Sequence, residues 1–321
     1  MEYKIIAYIS GGKWPETLDL SVVTHVNYAF GLVDEENILI RDPEQLFRLR
    51  EETKKAGVKL LVSLNQARGG AWFCQRSKTE EGRKILAKQS RELLDKYDLD
   101  GIDVDWEYPG IFHGEKNCDT CLHDFVDLIK EMRLVMGDKL LTYATPAMPD
   151  LWEFIDFPAV TPYFDYINLM SYDFNWPVLG AAHQSNLFPG TAGEGNHEQC
   201  TDRAFKLMLD MGIPACKLNL GVPFYGYVAG KGPGGFLTHD QIHELLESGD
   251  GEVEAAFDEG ACQSYLVKNG QFYCCYDDPR TIACKADYVK KKGMGGMMYW
   301  TYNQDSRYGI LREAVKKELD K

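Results

Sequence analysis

A (β/α)8 barrel is the architecture this 321-residue sequence predicts, on three observations. Short β-branched and aromatic runs alternate with amphipathic segments, the pattern of a parallel sheet with helices outside it. Eight such runs stand at 4–9, 25–31, 59–64, 101–106, 140–144, 166–170, 217–222 and 296–300. Polar and aromatic residues gather where the runs end: Tyr8, Phe30, Ser63, Glu107, Tyr172 with Asp173, Tyr225 and Trp300. In barrels of this kind the chemistry lies at the carboxyl ends of the strands.

Helical periodicity fills the gaps at 44–56, 79–97, 122–136, 151–154, 198–211, 279–291 and 310–319. Gly57, Gly137, Gly212 and Gly293 follow four of these segments and supply the left-handed residue that ends a helix. The rhythm breaks over 226–275, which reads as a small α+β insertion on the upper rim between the seventh and eighth strands. One catalytic barrel domain over 1–321 carrying that insertion is the expected organisation. Within it, a strand through Cys274 and Cys275 turns only one of them to the core.

Composition narrows the function. A hydrophobic content of 45% is enough for a large core, and 49 acidic against 35 basic residues give a net charge of -14, which argues against nucleic acid as a partner. Neutral substrates fit better. No run of eighteen apolar residues predicts a membrane span, and the first strand begins too near Met1 to leave room for a signal peptide. A cytoplasmic monomer is expected, or a secreted one if a leader has been removed. Nine cysteines form no framework spacing, which suits reduced thiols, although a single disulfide pair stays open.

The most informative stretch is 100–107, Asp-Gly-Ile-Asp-Val-Asp-Trp-Glu. Ile102, Val104 and Trp106 alternate with Asp103, Asp105 and Glu107, the period-two pattern of a strand with two unlike faces. Three acids share one face, with neighbours about 6.6 Å apart at Cα because a strand rises about 3.3 Å per residue. Like charges so close in a poorly solvated place push at least one pKa upward and hold a proton near neutral pH. A solvated acidic face on an edge strand is the bland alternative. Against it, desolvated carboxylates are costly for folding alone and perturbed acids cluster at working sites.

With these residues in view the chain resembles glycoside hydrolase family 18, the chitinase-like enzymes, over essentially its whole length. Residues 100–107 match the family's Asp-Gly-x-Asp-x-Asp-x-Glu element completely. Ala29-Phe30, Met170-x-Tyr172-Asp173, Gly221-Val222-Pro223-Phe224-Tyr225-Gly226 and Gly295-Gly296-Met297-Met298-Tyr299-Trp300 agree with weaker family motifs in barrel order. The resemblance implies a retaining hydrolase that cleaves β-1,4 bonds after N-acetylglucosamine, with the substrate's own acetamido group as nucleophile. It implies Glu107 as general acid and then base, and Asp105 as the group that orients the acetamide and stabilises the oxazolinium ion. Asp103 is implied to share a proton with Asp105, and Tyr172 to donate to the acetamide oxygen. By the same carry-over Trp300 floors the distorted sugar and Tyr8 and Ser63 bond Asp103. Phe30, Met170, Asp173 and Tyr225 line the pocket. Without the resemblance, Trp300 and Met170 read equally as core packing at strand ends. No cofactor or metal is implied.

The sequence departs from the family pattern in places. After Ser63 the family usually has a Gly pair, whereas Leu64-Asn65-Gln66 stand here with Gly69-Gly70 downstream, so a reshaped third-strand loop is expected. Tyr227 replaces the Arg often found after Pro-Phe-Tyr-Gly, which removes that partner from Asp173. Trp176 lies closer to Tyr172 than the family's aromatic in that loop. The short insertion predicts a shallow groove, with soluble chitin-type oligosaccharides as substrates. Other readings are an endo-N-acetylglucosaminidase of N-glycan chitobiose cores, a sugar-binding protein that has lost catalysis, and a barrel enzyme holding a divalent cation on its acids. His113, Cys118, Cys121 and His123 form a group that could bind zinc.

Overall fold

The computed structural model describes residues 2–68, 71–107, 109, 111–112, 115–116, 121–175, 182–231, 235–248 and 252–321. Its centre is a closed parallel barrel of β1 Lys4–Ser10, β2 His25–Val33, β3 Lys59–Gln66, β4 Gly101–Val104, β5 Leu140–Pro146, β6 Tyr166–Met170, β7 Leu218–Pro223 and β8 Gly296–Trp300. Each strand pairs in parallel with the next, and β8 pairs with β1. The architecture predicted from the sequence is the one observed.

Local chemistry sets the outer helices. Pro43–Ala56 and Pro279–Lys292 each begin with proline behind an aspartate whose side chain accepts a backbone N–H, from Gln45 to Asp42 and from Thr281 to Asp278. Both end on a left-handed glycine, Gly57 at φ 70° and Gly293 at φ 67°, where a side chain would be strained. Glu80–Tyr97 ends instead on Asp98, also left-handed, whose carboxylate pairs with Arg50 and Lys54.

The alternation in β4 works outward as well as inward. Ile102 and Val104 are fully buried, and Trp106 beyond them stacks on Phe73 of helix Trp72–Ser77 at 5.3 Å and meets Phe125 of helix Cys121–Met136 edge-on at 5.4 Å. With that face committed to the helix layer, residues 103 and 105 point into the barrel. There, strands β2 to β7 each contribute one fully buried polar side chain: Asn27, Ser63, Asp103, Thr142, Asn168 and Asn219. Asn219 Nδ2 donates to Asn168 Oδ1 at 3.0 Å, and Asn168 Nδ2 to the Tyr8 hydroxyl at 3.1 Å.

Between β7 and β8 a separate antiparallel sheet runs in the order Phe236–Thr238, Tyr225–Val228, Gln271–Tyr276, Gln263–Lys268 and Val253–Asp258. One face packs on helix His239–Glu247 through Leu266, Cys274 and Ile242. On the other, the Gln184 backbone N–H donates to Cys275 Sγ. Cys274 and Cys275 thus turn to opposite faces, as the strand period requires, and both are buried at 0% exposure. Both faces of this sheet are covered, and the alternation that separates the thiols buries each.

Several local expectations change. No helix spans 151–154; a 3-10 turn at Pro149–Leu151 and a single turn at Phe157–Val160 stand there, each with a proline in its first turn. Ladder pairing in β4 stops at Val104 rather than Trp106, whose carbonyl accepts from the Tyr143 hydroxyl at 3.1 Å. The seventh strand starts at Leu218 after a 3-10 turn at Ala215–Lys217. Helix Trp72–Ser77 and strand Ile38–Ile40 are too short to show a period and go unpredicted. His113, Cys118, Gly69, Gly70, Trp176 and the Cys121 side chain lie outside the described residues. Cys200, Cys216, Cys262, Cys274, Cys275 and Cys284 are free thiols. Among the described residues, no helix is long and apolar enough to cross a membrane.

A buried ion pair pins the insertion to the barrel. Lys285 Nζ on helix Pro279–Lys292 pairs with Asp277 at the end of the small sheet, both side chains being fully enclosed. Asp277 Oδ1 also accepts from Ser185 at 2.8 Å and from Gln263 at 2.9 Å. Removing one partner leaves a buried unpaired charge. Lys285→Ala is therefore expected to lower unfolding free energy by about 3–5 kcal/mol in denaturant titration, and pairing Asp277→Asn with Lys285→Met to recover most of it.

Candidate active site

Along the inward face of the fourth strand the three acids are graded in depth: Asp103 has 0% exposure, Asp105 has 5%, and Glu107 is half-buried at the rim. Strand pairing places Ser63 beside Asp103 and Thr142 on its other side. Ser63 Oγ and the Tyr8 hydroxyl donate to Asp103 Oδ2, each at 2.8 Å. Thr142 Oγ1 donates to Oδ1 at 2.5 Å, with Asn168 Nδ2 further off at 3.5 Å. Burial pushes the Asp103 carboxyl up, and the bonds from Thr142, Tyr8 and Ser63 pull it back.

Asp105 has a thinner shell. Its Oδ2 accepts from Asn65 Nδ2 at 2.9 Å, while its buried Oδ1 has no partner among the described residues. Burial first and the Glu107 charge second push its carboxyl well above the usual range; Asn65 opposes them, and Asp103 adds a weaker push. Such an arrangement favours keeping a proton among these acids.

Aromatic side chains wall the mouth above. Trp300 stacks on Phe30 at 5.5 Å and lies against Tyr8 at 5.6 Å. Tyr8 and Tyr172 belong to one apolar cluster on which Phe30, Met170 and Trp300 pack. The peptide bonds Ala29–Phe30 and Trp300–Thr301 are cis. Tyr172 is buried, and its hydroxyl is held neutral by burial and then by the charges of Asp173, Asp105, Glu107 and Asp103, so it is available as a donor. Tyr225 meets Tyr172 edge-on at 6.4 Å and donates to Asp173 Oδ1 at 2.7 Å. Asp173 is left-handed at φ 60°, and burial pushes its carboxyl up to about 6 against the pull of Tyr225. Tyr227 packs beside Tyr225 against Trp300.

All eleven side chains singled out in the sequence thus converge on the carboxyl end of the barrel. Thr142, Asn168 and Asn65 join them unpredicted. A polar residue interrupting an inward-facing apolar run was the available signal for the first two; Asn65 stood in a loop whose shape the sequence left open. Among the described residues no three His, Cys, Asp or Glu side chains are grouped as a metal ion would require.

Known proteins resemble this chain throughout. Chitinase A1 of Niallia circulans is 28% identical over 86% of the chain and 44% of its own length. Chitinase 1 of Aphanocladium album is 26% identical over 80% of the chain and 64% of its own length. The chain thus spans less than two thirds of either relative. The solved structure of a family 18 N-acetylglucosaminidase from Paenibacillus barengoltzii superposes with a TM-score of 0.87 at 27% identity, covering 99% of this chain and 100% of that one. The model for glycosyl hydrolases family 18 matches residues 4–305, nearly the whole barrel with its graded acids, and the chain belongs to that family.

Proposed function

We propose that this chain is a retaining glycoside hydrolase that cleaves β-1,4 bonds after N-acetylglucosamine in chitin-type oligosaccharides, with the substrate's acetamido group as nucleophile. The gradient of burial along one strand face carries this reading: a general acid needs access to the glycosidic oxygen, and a group that steadies the acetamide belongs beneath the sugar. Glu107, at the rim, gives its proton to the leaving oxygen as the C1–O bond breaks. The acetamide oxygen attacks C1 from the opposite face, Asp105 accepts a hydrogen bond from the acetamide N–H, and Tyr172 donates to its oxygen. Water then opens the oxazolinium ring, giving its proton to Glu107, and the anomeric configuration is retained.

Asp103 supports the same scheme from below. Its oxygens accept from Tyr8, Ser63 and Thr142, and the Ser and Thr hydroxyls can rotate to accept instead. Asp103 can therefore hold or release a proton as Asp105 turns toward it. The apolar faces of Trp300 and Phe30 suit the C–H faces of a pyranose ring. Residues 1–321 act in this proposal as one catalytic unit with the 226–275 insertion as a wall of the groove, and it works as a monomer.

Wild-type protein is expected to release chromophore from an aryl chito-oligosaccharide, and Glu107→Gln to lose about 10²–10⁴-fold in kcat. Wild-type inactivity, with tight chito-oligosaccharide binding by calorimetry, would instead indicate a sugar-binding protein. Tyr172→Phe is expected to lower kcat about 10²-fold with KM nearly unchanged, because the donor acts on the acetamide oxygen as it becomes a nucleophile. Proton NMR of chitotetraose cleavage should show the β-anomer first; an α-anomer burst contradicts retention. The full-length match to an N-acetylglucosaminidase favours a second reading, in which single sugars leave one end. Early products distinguish the two: disaccharides for the first, monosaccharides for the second.

A further inference from the structure

We propose that Asn65 is a positioning residue that holds the Asp105 carboxyl turned away from Asp103, an inference that rests on the hydrolase reading of the acids. The geometry follows from ladder arithmetic. Ser63 on β3 lies beside Asp103 on β4 and donates to it at 2.8 Å. Two residues further along both chains the same face returns, and Asn65 Nδ2 donates to Asp105 Oδ2 at 2.9 Å. The Asp105 backbone N–H fixes that spacing by donating to the Leu64 carbonyl at 2.8 Å.

Asn65 matters because Asp105 has so little else. Asp103 collects three hydroxyl donors, whereas Asp105 has one amide, and its second oxygen is buried without a partner among the described residues. The charged and titratable groups on the barrel interior around Asp105 are Asp103 and Glu107 on its own segment, Tyr8 of β1 and Tyr172 after β6. None carries positive charge. A donor amide is then the principal group favouring the carboxylate, and it directs the proton of the acid pair to Glu107, where the leaving oxygen needs it. A glycine at position 65 would leave this work undone.

Asn65→Ala and the near-isosteric Asn65→Asp test this. With the donor gone the Asp105 carboxyl rises, so the acid limb of kcat/KM should move up by about one pH unit and kcat fall about 10-fold, with KM little changed. Asn65→Asp preserves size but adds charge, so its acid limb should move at least as far. A role in packing alone predicts a lower melting temperature and a wild-type acid limb in Asn65→Ala, and that result overturns the proposal. Carbon-13 NMR titration of the aspartate carboxyls, assigned with Asp105→Asn, reads the same shift without turnover. An inactive wild type whose Asp105 titration still moves in Asn65→Ala defeats the hydrolase reading and keeps the positioning; an unmoved titration defeats the positioning.

Discussion

A carboxylate with no exposure to solvent inside a closed barrel is the constraint to which the rest of the structure answers. Desolvating a charge costs several kcal/mol even after relaxation, and Asp103 meets that cost with donors from strands on both sides and across the barrel. Those donors reach it only in one register. Slipping β3 or β5 by a single residue would turn Ser63 or Thr142 outward and set an apolar neighbour against the charge. The polar layer across β2 to β7 thus makes strand register a matter of electrostatics as well as hydrophobic packing.

The helix layer enforces the same arrangement from outside. Trp106 is clamped between Phe73 and Phe125, which prevents the end of the fourth strand from rotating about its own axis. Ladder pairing stops at Val104, yet the inward direction persists to Asp105 because Leu64 takes its N–H and Tyr143 takes the Trp106 carbonyl. Solvent access then rises from Asp103 to Glu107. One short segment spans a gradient of dielectric, and that gradient separates groups of nearly identical chemistry.

Much of this was legible in the sequence for a definite reason. Period-two alternation marks which side chains share a face, so Asp103, Asp105 and Glu107 could be grouped without coordinates, and helix-ending glycines marked where strands resume. What stayed hidden depends on contacts between distant segments. Thr142 and Asn168 look like ordinary strand residues until the closed barrel brings them to Asp103. Cys274 and Cys275 both proved buried because segments remote in sequence cover both faces of their sheet. The 151–154 helix failed because four residues, three of them apolar, are too few to define a helical period.

The identity of the donors carries a last consequence. The groups acting most strongly on Asp103 and Asp105 are hydroxyls, an amide and another acid. A lysine or arginine in their place would offset burial more strongly, but it would also cancel the negative charge. Neutral donors lower the cost of desolvation while leaving the field intact. In the proposed reaction positive charge develops on the sugar ring directly above Asp105, so that uncancelled field is available when the charge appears and needs little rearrangement of dipoles. Asp173, which accepts from the Tyr225 hydroxyl, extends the same economy to the rim. Stability alone would have favoured ion pairs or apolar filling at these positions; the arrangement observed keeps an electrostatic surplus facing the groove.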